Sequence, residues 1–186
     1  MSPKSDRREH LADAALVLLS HEGAHGVTHR AVDAQAQVPP GTTSRYFRTR
    51  AALFQGAAER MRDRHREQVQ RLAGKFPHNS GGLVEALVEL LDDASGPNRE
   101  LYTARFELAL QSIRQPELAG IMQDIRADAL DLAQRLIGST GAVWTDEQIE
   151  ILGSMLLGIS IDRITLGIPR AGNLAVATAI VRGLTP

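Results

Sequence analysis

The sequence predicts an all-α protein of about nine helices, with a three-helix N-terminal domain over residues 1–49 and a larger helical domain over residues 50–186. Three observations support this prediction. Apolar residues recur at helical spacing along the chain, and no segment alternates as a strand does. Residues 28–53 have the pattern of two short helices joined by a tight turn, with a longer helix directly after them. Residues 149–166 read as a helix that is apolar nearly all round, and such a helix must be buried on every side.

The first helices are marked by their start and stop signals. The first is predicted over residues 5–22, with leucines and alanines on one face and Gly23 as its stop signal. Thr28 is a natural N-cap for the second helix, because its hydroxyl can accept a hydrogen bond from an amide two or three residues on. A pair of prolines ends that helix, and Pro40 suits the first position of a third helix over residues 40–47.

The remaining elements are also predicted to be helices. A fourth helix follows over residues 50–74, and residues 77–82 have the composition of a linker. Turn-forming residues delimit five further helices, which are predicted over 83–94, 98–114, 116–137, 146–166 and 171–184. Four arginines of the fourth helix alternate with acids at salt-bridge spacing and are expected to form a solvated face: Arg60, Arg62, Arg64 and Arg66.

The third helix carries hydroxyl, arginine and aromatic side chains with almost no acid, which suits a DNA groove better than a core. A recognition helix enters the major groove with its N-terminal residues nearest to the base edges. Thr42, Thr43 and Arg45 are therefore the candidates for base contact, and the missing side chain of Gly41 lets a backbone or a phosphate approach. The full set of expected DNA-binding residues is Thr28, Arg30, Pro40, Gly41, Thr42, Thr43, Ser44, Arg45, Tyr46 and Arg50.

The charge distribution agrees with a nucleic-acid-binding N-terminal part. The formal net charge is −1, but residues 1–71 hold 12 Lys and Arg against 8 Asp and Glu, whereas residues 72–186 hold 9 against 14. A basic segment joined to an acidic remainder is the pattern expected of a DNA-binding domain on a body that does not bind DNA. Chance segregation of surface charge is the alternative.

Residues 28–53 resemble the helix-turn-helix of the tetracycline-repressor (TetR) family. The resemblance rests on the string T-(x)3-V-(x)3-A-x-V-P-x-G-T-T-(x)2-Y-F-(x)5-L, which matches without a gap. Asp33 departs from the alanine that is usual there, and Gln37 stands at a left-handed turn position that favours glycine. The resemblance implies that Thr28, Tyr46 and Arg50 contact phosphates, and that the last two helices form a four-helix dimer interface.

The body is expected to provide a dimer interface and a ligand pocket. The last two helices carry more apolar surface than peripheral helices of one chain need, which indicates a homodimer; an entirely intramolecular core is the alternative. The expected interface residues are Leu152, Met155, Leu156, Ile159, Val176 and Ile180. Apolar and polar side chains of the sixth and seventh helices are expected to line the pocket: Tyr102, Arg105, Phe106, Leu110, Gln111, Met122, Ile125 and Arg126.

The sequence gives little evidence for a metal site, an enzyme activity, a cofactor or a membrane span. His21, His25 and His29 recur every four residues, but glycines interrupt any helix there, so we expect no metal site. No catalytic or nucleotide-binding motif is present, so we expect no enzyme activity and no cofactor. The absence of cysteine suits a reducing cytoplasm, the N-terminus has no signal-peptide pattern, and charges interrupt the longest apolar stretch, so we expect no membrane span.

Together these observations predict a cytoplasmic, homodimeric transcriptional regulator that binds a palindromic operator in double-stranded DNA. We expect a repressor that a small-molecule effector releases from its operator. A regulator of the same fold that activates, or that has lost its effector, is one alternative. An all-α enzyme or a small-molecule carrier without DNA binding is the alternative from another class.

Overall fold

The computed structural model describes residues 3–73, 75–76, 80–138, 143–166 and 172–184. These ranges contain nine α-helices and no strand, which confirms the predicted all-α class. The helices are α1 (Pro3–Gly26), α2 (His29–Gln35), α3 (Thr42–Tyr46), α4 (Arg50–Ala73), α5 (Ser80–Ser95), α6 (Arg99–Ser112), α7 (Pro116–Gly138), α8 (Asp146–Leu166) and α9 (Asn173–Leu184).

Contacts divide the chain into two compact units. The first comprises Met1–Arg64 with Glu100–Asp124, and the second comprises His65–Arg99 with Ile125–Pro186. The first unit therefore holds more than the predicted N-terminal domain, because α6 and parts of α4 and α7 belong to it. The domain boundary between residues 49 and 50 stays a prediction.

Several predicted helix boundaries differ from those of the structure. The third helix begins at Thr42 and not at Pro40, because Gly41 has a φ of 84°, and this left-handed backbone cannot continue a right-handed helix. The fifth helix begins at Ser80, so only residues 77–79 of the predicted linker remain outside a helix assignment, and these lie outside the described residues. Gly23 interrupts the regular helix with a left-handed φ of 66°, but it is not the end of α1 as predicted, because the helix resumes after this kink and ends at Gly26.

The core of the first unit lies between α1, α2, α3 and α4. Phe47 and Phe54 are almost fully buried there, together with Leu11, Leu19, Val32, Leu53 and Met61. Gly56 permits the close packing of this core, since a Cβ at that position would lie 2.2 Å from Cε1 of Phe47. A larger side chain at residue 56 would therefore displace the aromatic ring that supports the end of α3.

The arginines of α4 form ion pairs with other helices. Arg60 and Arg62 are partly buried, which corrects the expected solvated face for these two, whereas Arg64 and Arg66 are exposed as expected. Arg60 and Arg64 both contact the carboxylate of Asp13 on α1, at 3.0 Å. Arg62 contacts Asp124 on α7 at 3.2 Å within the first unit, and Arg66 contacts Asp128 at 2.7 Å within the second. The side chains of Arg60 and Arg62 are only 17% and 26% exposed, so α4 is packed on the sides that carry them.

The second unit is built around α5, which packs against α8 and α9. Its core contains Leu83, Leu87, Leu136, Trp144, Leu152 and Ile180. The expectation that α8 is buried on every side is wrong for the single chain. Four of its apolar residues are each 40–42% exposed: Ile151, Met155, Leu157 and Ile161. Leu152 and Ile180 were predicted at a dimer interface. Both are buried in the core of the chain itself, at 1% and 4% exposure, so they cannot contact a second copy.

Candidate nucleic-acid interface

Helix α2 begins as the sequence predicts. The Thr28 hydroxyl accepts a hydrogen bond from the amide of Ala31 at 3.1 Å, and Thr28 itself has an extended backbone. This confirms Thr28 as the N-cap, a residue type that satisfies one of the unpaired amides of a helix start. Thr28 is exposed, so its hydroxyl group can still donate a hydrogen bond to a partner outside the chain.

The turn between α2 and α3 has a left-handed residue at each end. Gln37 has a φ of 53°, and it is the only non-glycine residue of the described ranges with a positive φ. This confirms the sequence-based expectation that Gln37 occupies a position suited to glycine. Gly41 has a φ of 84° directly before α3, and an added Cβ there would meet open space. The glycine is therefore required by its backbone conformation and not by a lack of room.

The carboxylate of Asp33 on α2 bridges this turn. Its Oδ2 accepts a hydrogen bond from the amide of Gly41 at 2.7 Å. Its Oδ1 accepts from the amide of Thr43 at 2.7 Å and from the Thr43 hydroxyl at 2.6 Å. Burial alone would raise the pKa of Asp33, but these hydrogen bonds and the nearby His29 hold the pKa below its ordinary value. In the sequence Asp33 is only a departure from the family pattern, and nothing near it indicates this role.

The position of Thr43 corrects one predicted base contact. Thr43 is fully buried, and both its amide and its hydroxyl are bonded to Asp33. A side chain in this position cannot reach a base edge, so Thr43 is a structural residue of the turn.

The outer face of α3 consists of the other predicted residues. Ser44 and Arg45 are exposed, and Tyr46 is partly buried. The Thr42 hydroxyl donates to the carbonyl of Pro39 at 2.6 Å, which leaves its methyl group and its lone pairs for contacts outside the chain. Pro40, Gly41 and Arg30 are exposed as well. The structure therefore brings seven of the predicted residues to the surface of the α2–α3 segment at least in part.

Two histidines that the sequence analysis did not assign hold the helices together. His10 Nε2 lies 2.9 Å from the carbonyl oxygen of Ala36, at the end of α2, and His29 Nε2 lies 2.7 Å from that of Phe47, at the end of α3. A carbonyl oxygen can only accept, so each of these nitrogens carries a proton. A lone histidine gives no sequence signal for a partner 18 or 26 residues away.

Arg50 at the start of α4 has structural partners in addition to its expected role. Its guanidinium donates to the carbonyls of Ala24 at 2.5 Å and Val27 at 3.4 Å, and it lies over the ring of Phe54 at 5.1 Å. These contacts fix the last turn of α1 and the residue that follows it against α4. Arg50 is an exposed residue, and its expected phosphate contact stays a prediction.

The exposed charge of this segment is positive. Residues 28–50 contain four arginines and one acid. All four arginines are exposed, whereas Asp33 is buried and already accepts three hydrogen bonds. A cationic surface around an exposed hydroxyl- and arginine-bearing helix has the chemistry that binds phosphates and reads base edges.

The residues predicted to line a ligand pocket are distributed over both units. Tyr102 and Ile125 are buried, whereas Leu110 is 53% exposed and so cannot line an enclosed pocket, which corrects its expected role. Arg126 donates to the Ser154 hydroxyl at 3.3 Å within the second unit. Arg105, Phe106, Gln111 and Met122 are partly buried, and all four belong to the first unit.

A small cavity of the second unit involves none of these residues. Its lining comes from α4 and α5 and includes Gln68, Leu72 and Asp93, with a volume of about 50 Å³. A pocket for a drug-sized ligand has roughly 300–1,000 Å³. This cavity is too small for such a ligand, and the predicted pocket stays a prediction.

The described ranges contain neither a metal-binding cluster nor a membrane-spanning helix. No three His, Cys, Asp or Glu side chains of these ranges converge as a metal site requires. None of the helices described has the length and apolar character needed to cross a membrane.

Comparison with protein families gives two matches that together span most of the chain. Residues 11–57 match the model of bacterial regulatory proteins of the tetR family. Residues 78–186 match the model of the tetracyclin repressor-like C-terminal domain. No curated protein matches the chain in sequence.

Solved structures of similar fold cover nearly the whole chain. A TetR-family member from Streptomyces coelicolor A3 is 25% identical, with a TM-score of 0.74 over 97% of this chain and 98% of the other. A transcriptional regulator from Rhodococcus sp. Rha1 is 19% identical, with a TM-score of 0.79 over 95% of each chain. The multidrug binding protein EbrR complexed with ethidium is 24% identical, with a TM-score of 0.74 over 97% of this chain and 99% of the other.

Proposed function

Since the chain belongs to the TetR family of bacterial transcriptional regulators, we propose that it is an effector-responsive repressor that binds a palindromic operator as a homodimer. The observation that carries this proposal is α3, a short helix whose exposed residues are hydroxyls and an arginine and whose position is fixed by hydrogen bonds from α2. In our proposal residues 1–49 read DNA in the cytoplasm of a bacterium, and residues 50–186 bind the effector and form the dimer.

The exposed residues of α3 divide into base-reading and phosphate-binding groups. Arg45 has the planar donor fork that pairs with the O6 and N7 atoms of guanine, and the Thr42 methyl suits a thymine methyl. Ser44 can reach either a base or a phosphate. Phosphate contacts fix the register of a protein on DNA without reading sequence, and we assign them to Thr28, Arg30, Pro40, Gly41, Tyr46 and Arg50.

The exposed apolar face of α8 supports a homodimer. The chain itself leaves four apolar side chains of α8 about 40% exposed, those of Ile151, Met155, Leu157 and Ile161, and Leu174 on α9 is 64% exposed. An added Cβ at Gly158 would meet nothing within 4 Å, so a helix of a second copy can approach closely there. A two-fold dimer places two copies of α3 on DNA, where half-sites lie about 34–36 Å apart along one face of the duplex.

Effector response is assigned to α4, because this helix has residues in both units. At about 1.5 Å per residue its 24 residues extend about 36 Å. A ligand that binds better to the dimer in a conformation unsuited to DNA shifts the population away from the operator. The size of this shift is limited by the ratio of the ligand's affinities for the two conformations.

Selection of duplexes from a random-sequence pool tests the DNA-binding part of the proposal. We expect an enriched palindromic sequence that binds about a thousandfold or more tighter than a scrambled duplex of the same composition. The affinity should fall linearly with salt on logarithmic axes, because phosphate contacts release counterions. A pool without an enriched sequence, or equal affinity for both duplexes, would contradict the proposal.

A second measurement tests the effector response separately. Small molecules that raise the unfolding temperature of the free protein are binders of the native state, and each is then titrated against the complex with the selected duplex. We expect at least one such binder to lower the affinity for that duplex. Binders that all leave the affinity unchanged would contradict effector release and leave the DNA-binding proposal intact.

A further inference from the structure

We propose that Asp33 is a positioning residue for operator recognition, whose carboxylate holds α3 in the orientation that lets Arg45 meet a base edge. Asp33 contacts no base and no phosphate in this proposal. The inference rests on the proposed DNA-binding function, and it adds a residue that acts through the recognition helix.

Both carboxylate oxygens of Asp33 accept hydrogen bonds from the start of α3. Oδ2 binds the amide of Gly41, and Oδ1 binds both the amide and the hydroxyl of Thr43, at distances of 2.6–2.7 Å. Asp33 is 4% exposed and Thr43 is fully buried, so the two bonds between them are shielded from water. One side chain of α2 therefore fixes the first turn of α3 at two backbone positions and one side chain.

The bond from His29 holds the far end of α3 at Phe47, but few other contacts hold its first turn. The helix has five residues, far fewer than a helix needs for stability of its own. Gly41, its N-cap residue, has no side chain and makes no capping bond. The backbone bonds across the turn run from Val38 to Asp33 and from Thr42 to Pro39, at 3.0 and 3.1 Å. The amides of Gly41 and Thr43 depend on the Asp33 carboxylate.

The negative charge of Asp33 allows a test by the direction in which the DNA affinity changes when the charge is removed. Asp33 is the only acid among residues 28–50, which otherwise carry four arginines. Removal of an acid from a DNA-binding surface raises its attraction for phosphates. If Asp33 positions α3, its removal lowers the affinity for the selected duplex in spite of the gained positive charge.

The test compares Asp33→Ala and Asp33→Asn with the wild-type chain. Asparagine keeps the size of the side chain and one acceptor oxygen but cannot accept all three bonds. Asp6→Ala is the matched control, because it removes an equal charge from an exposed position of α1. Affinities are measured for the duplex that the wild type selects and for a scrambled duplex, with circular dichroism as the measure of folding.

We expect both Asp33 variants to lose about tenfold or more of their preference for the selected duplex, since hydrogen bonds to a charged group are among the stronger ones. Their affinity for the scrambled duplex should stay within about twofold or rise, as expected from retained phosphate contacts and the lost charge. Asp6→Ala should keep the wild-type preference. A folded Asp33→Asn variant that keeps the wild-type preference would overturn the proposal.

Amide hydrogen exchange gives a second readout that needs no DNA. In the wild type the amides of Gly41 and Thr43 should exchange slowly, and in the Asp33 variants they should exchange faster while the amides of α1 keep their protection. Unchanged exchange at both amides would overturn the positioning role, whatever the result with DNA. If the wild type selects no duplex, the proposed function fails, and this exchange experiment still decides whether the carboxylate holds α3.

Discussion

Arg45 is the residue to which the proposed function assigns base recognition. It is exposed on α3, two residues after the buried Thr43 that anchors the helix. We expect Arg45→Ala to weaken binding of the selected duplex by about 1–3 kcal/mol and to relax the preference at one base pair. Competition binding with each base pair of the duplex varied in turn measures both effects.

Tyr46→Phe is the matched control for this prediction. It removes one hydroxyl from the neighbouring position, and we expect it to weaken binding of all duplexes alike, because a phosphate contact carries no sequence information. If Arg45→Ala also lowers the affinity for selected and scrambled duplexes equally, Arg45 binds a phosphate and does not read a base.

The carboxylate of Asp33 should make the stability of the first unit depend on pH in acid. Its pKa in the folded protein is lowered, so its ionised form contributes stability that is present above the ordinary pKa and lost as the pH falls through the folded value. We expect the wild type to exceed Asp33→Asn in free energy of unfolding near neutral pH, and this difference to shrink as the pH falls below about 4. Urea unfolding of both proteins at a series of pH values measures the difference, and a constant difference down to pH of about 2 would contradict the prediction.

The turn between α2 and α3 contains a backbone strain that one substitution can relieve. Gln37 has a φ of 53°, a conformation that glycine adopts without steric cost. We expect Gln37→Gly to raise the free energy of unfolding by about 0.5–1 kcal/mol, since the relief of strain exceeds the entropy that glycine adds to the unfolded chain. Thermal unfolding checks this value.

Ala34→Gly is the control for the substitution in the turn. Ala34 is exposed within the right-handed helix α2, where glycine should lower the stability by about 1 kcal/mol. If Gln37→Gly is as destabilising as Ala34→Gly, the left-handed conformation of Gln37 carries no strain.

In the N-terminal part, structural features could be predicted where a few consecutive residues determine them. The Thr28 cap and the left-handed Gln37 are local features, and both were found from the sequence. The role of Asp33 could not be predicted, because its partners lie 8 and 10 residues on, across a turn, and no helical period links them. The burial of the Thr43 side chain could not be predicted either, since a helix of five residues is too short for its apolar pattern to define a face.

Helix α8 illustrates the same limit for larger elements. Its composition indicates how much apolar surface must be covered, and the sequence therefore indicated a partner. It does not indicate which side the chain covers by itself, because apolar residues occur nearly all round the helix. Leu152 was therefore predicted at the interface, although it is buried in the core of its own chain. Ile151 and Leu157 on the same helix are exposed.

The assembly of the whole molecule is tested at this exposed face. We expect Met155→Arg to give a monomer that has lost most of its affinity for the selected duplex, because a dimer would bury an unpaired charge. Light scattering measures the mass in solution. Ile113→Arg is the control, since Ile113 is 78% exposed on the turn after α6 and the variant should remain a dimer. If Met155→Arg is also a dimer, the interface lies elsewhere.

A crystal structure of the chain bound to its selected duplex tests the central claim most directly. The account predicts two copies related by a two-fold axis, each with α3 in the major groove and half-sites about 34–36 Å apart. In each copy the Arg45 guanidinium should lie within hydrogen-bond distance of a guanine edge, and Asp33 should keep its bonds to Gly41 and Thr43. A complex in which α3 lies outside the groove, or in which another part of the chain contacts the bases, would contradict the account.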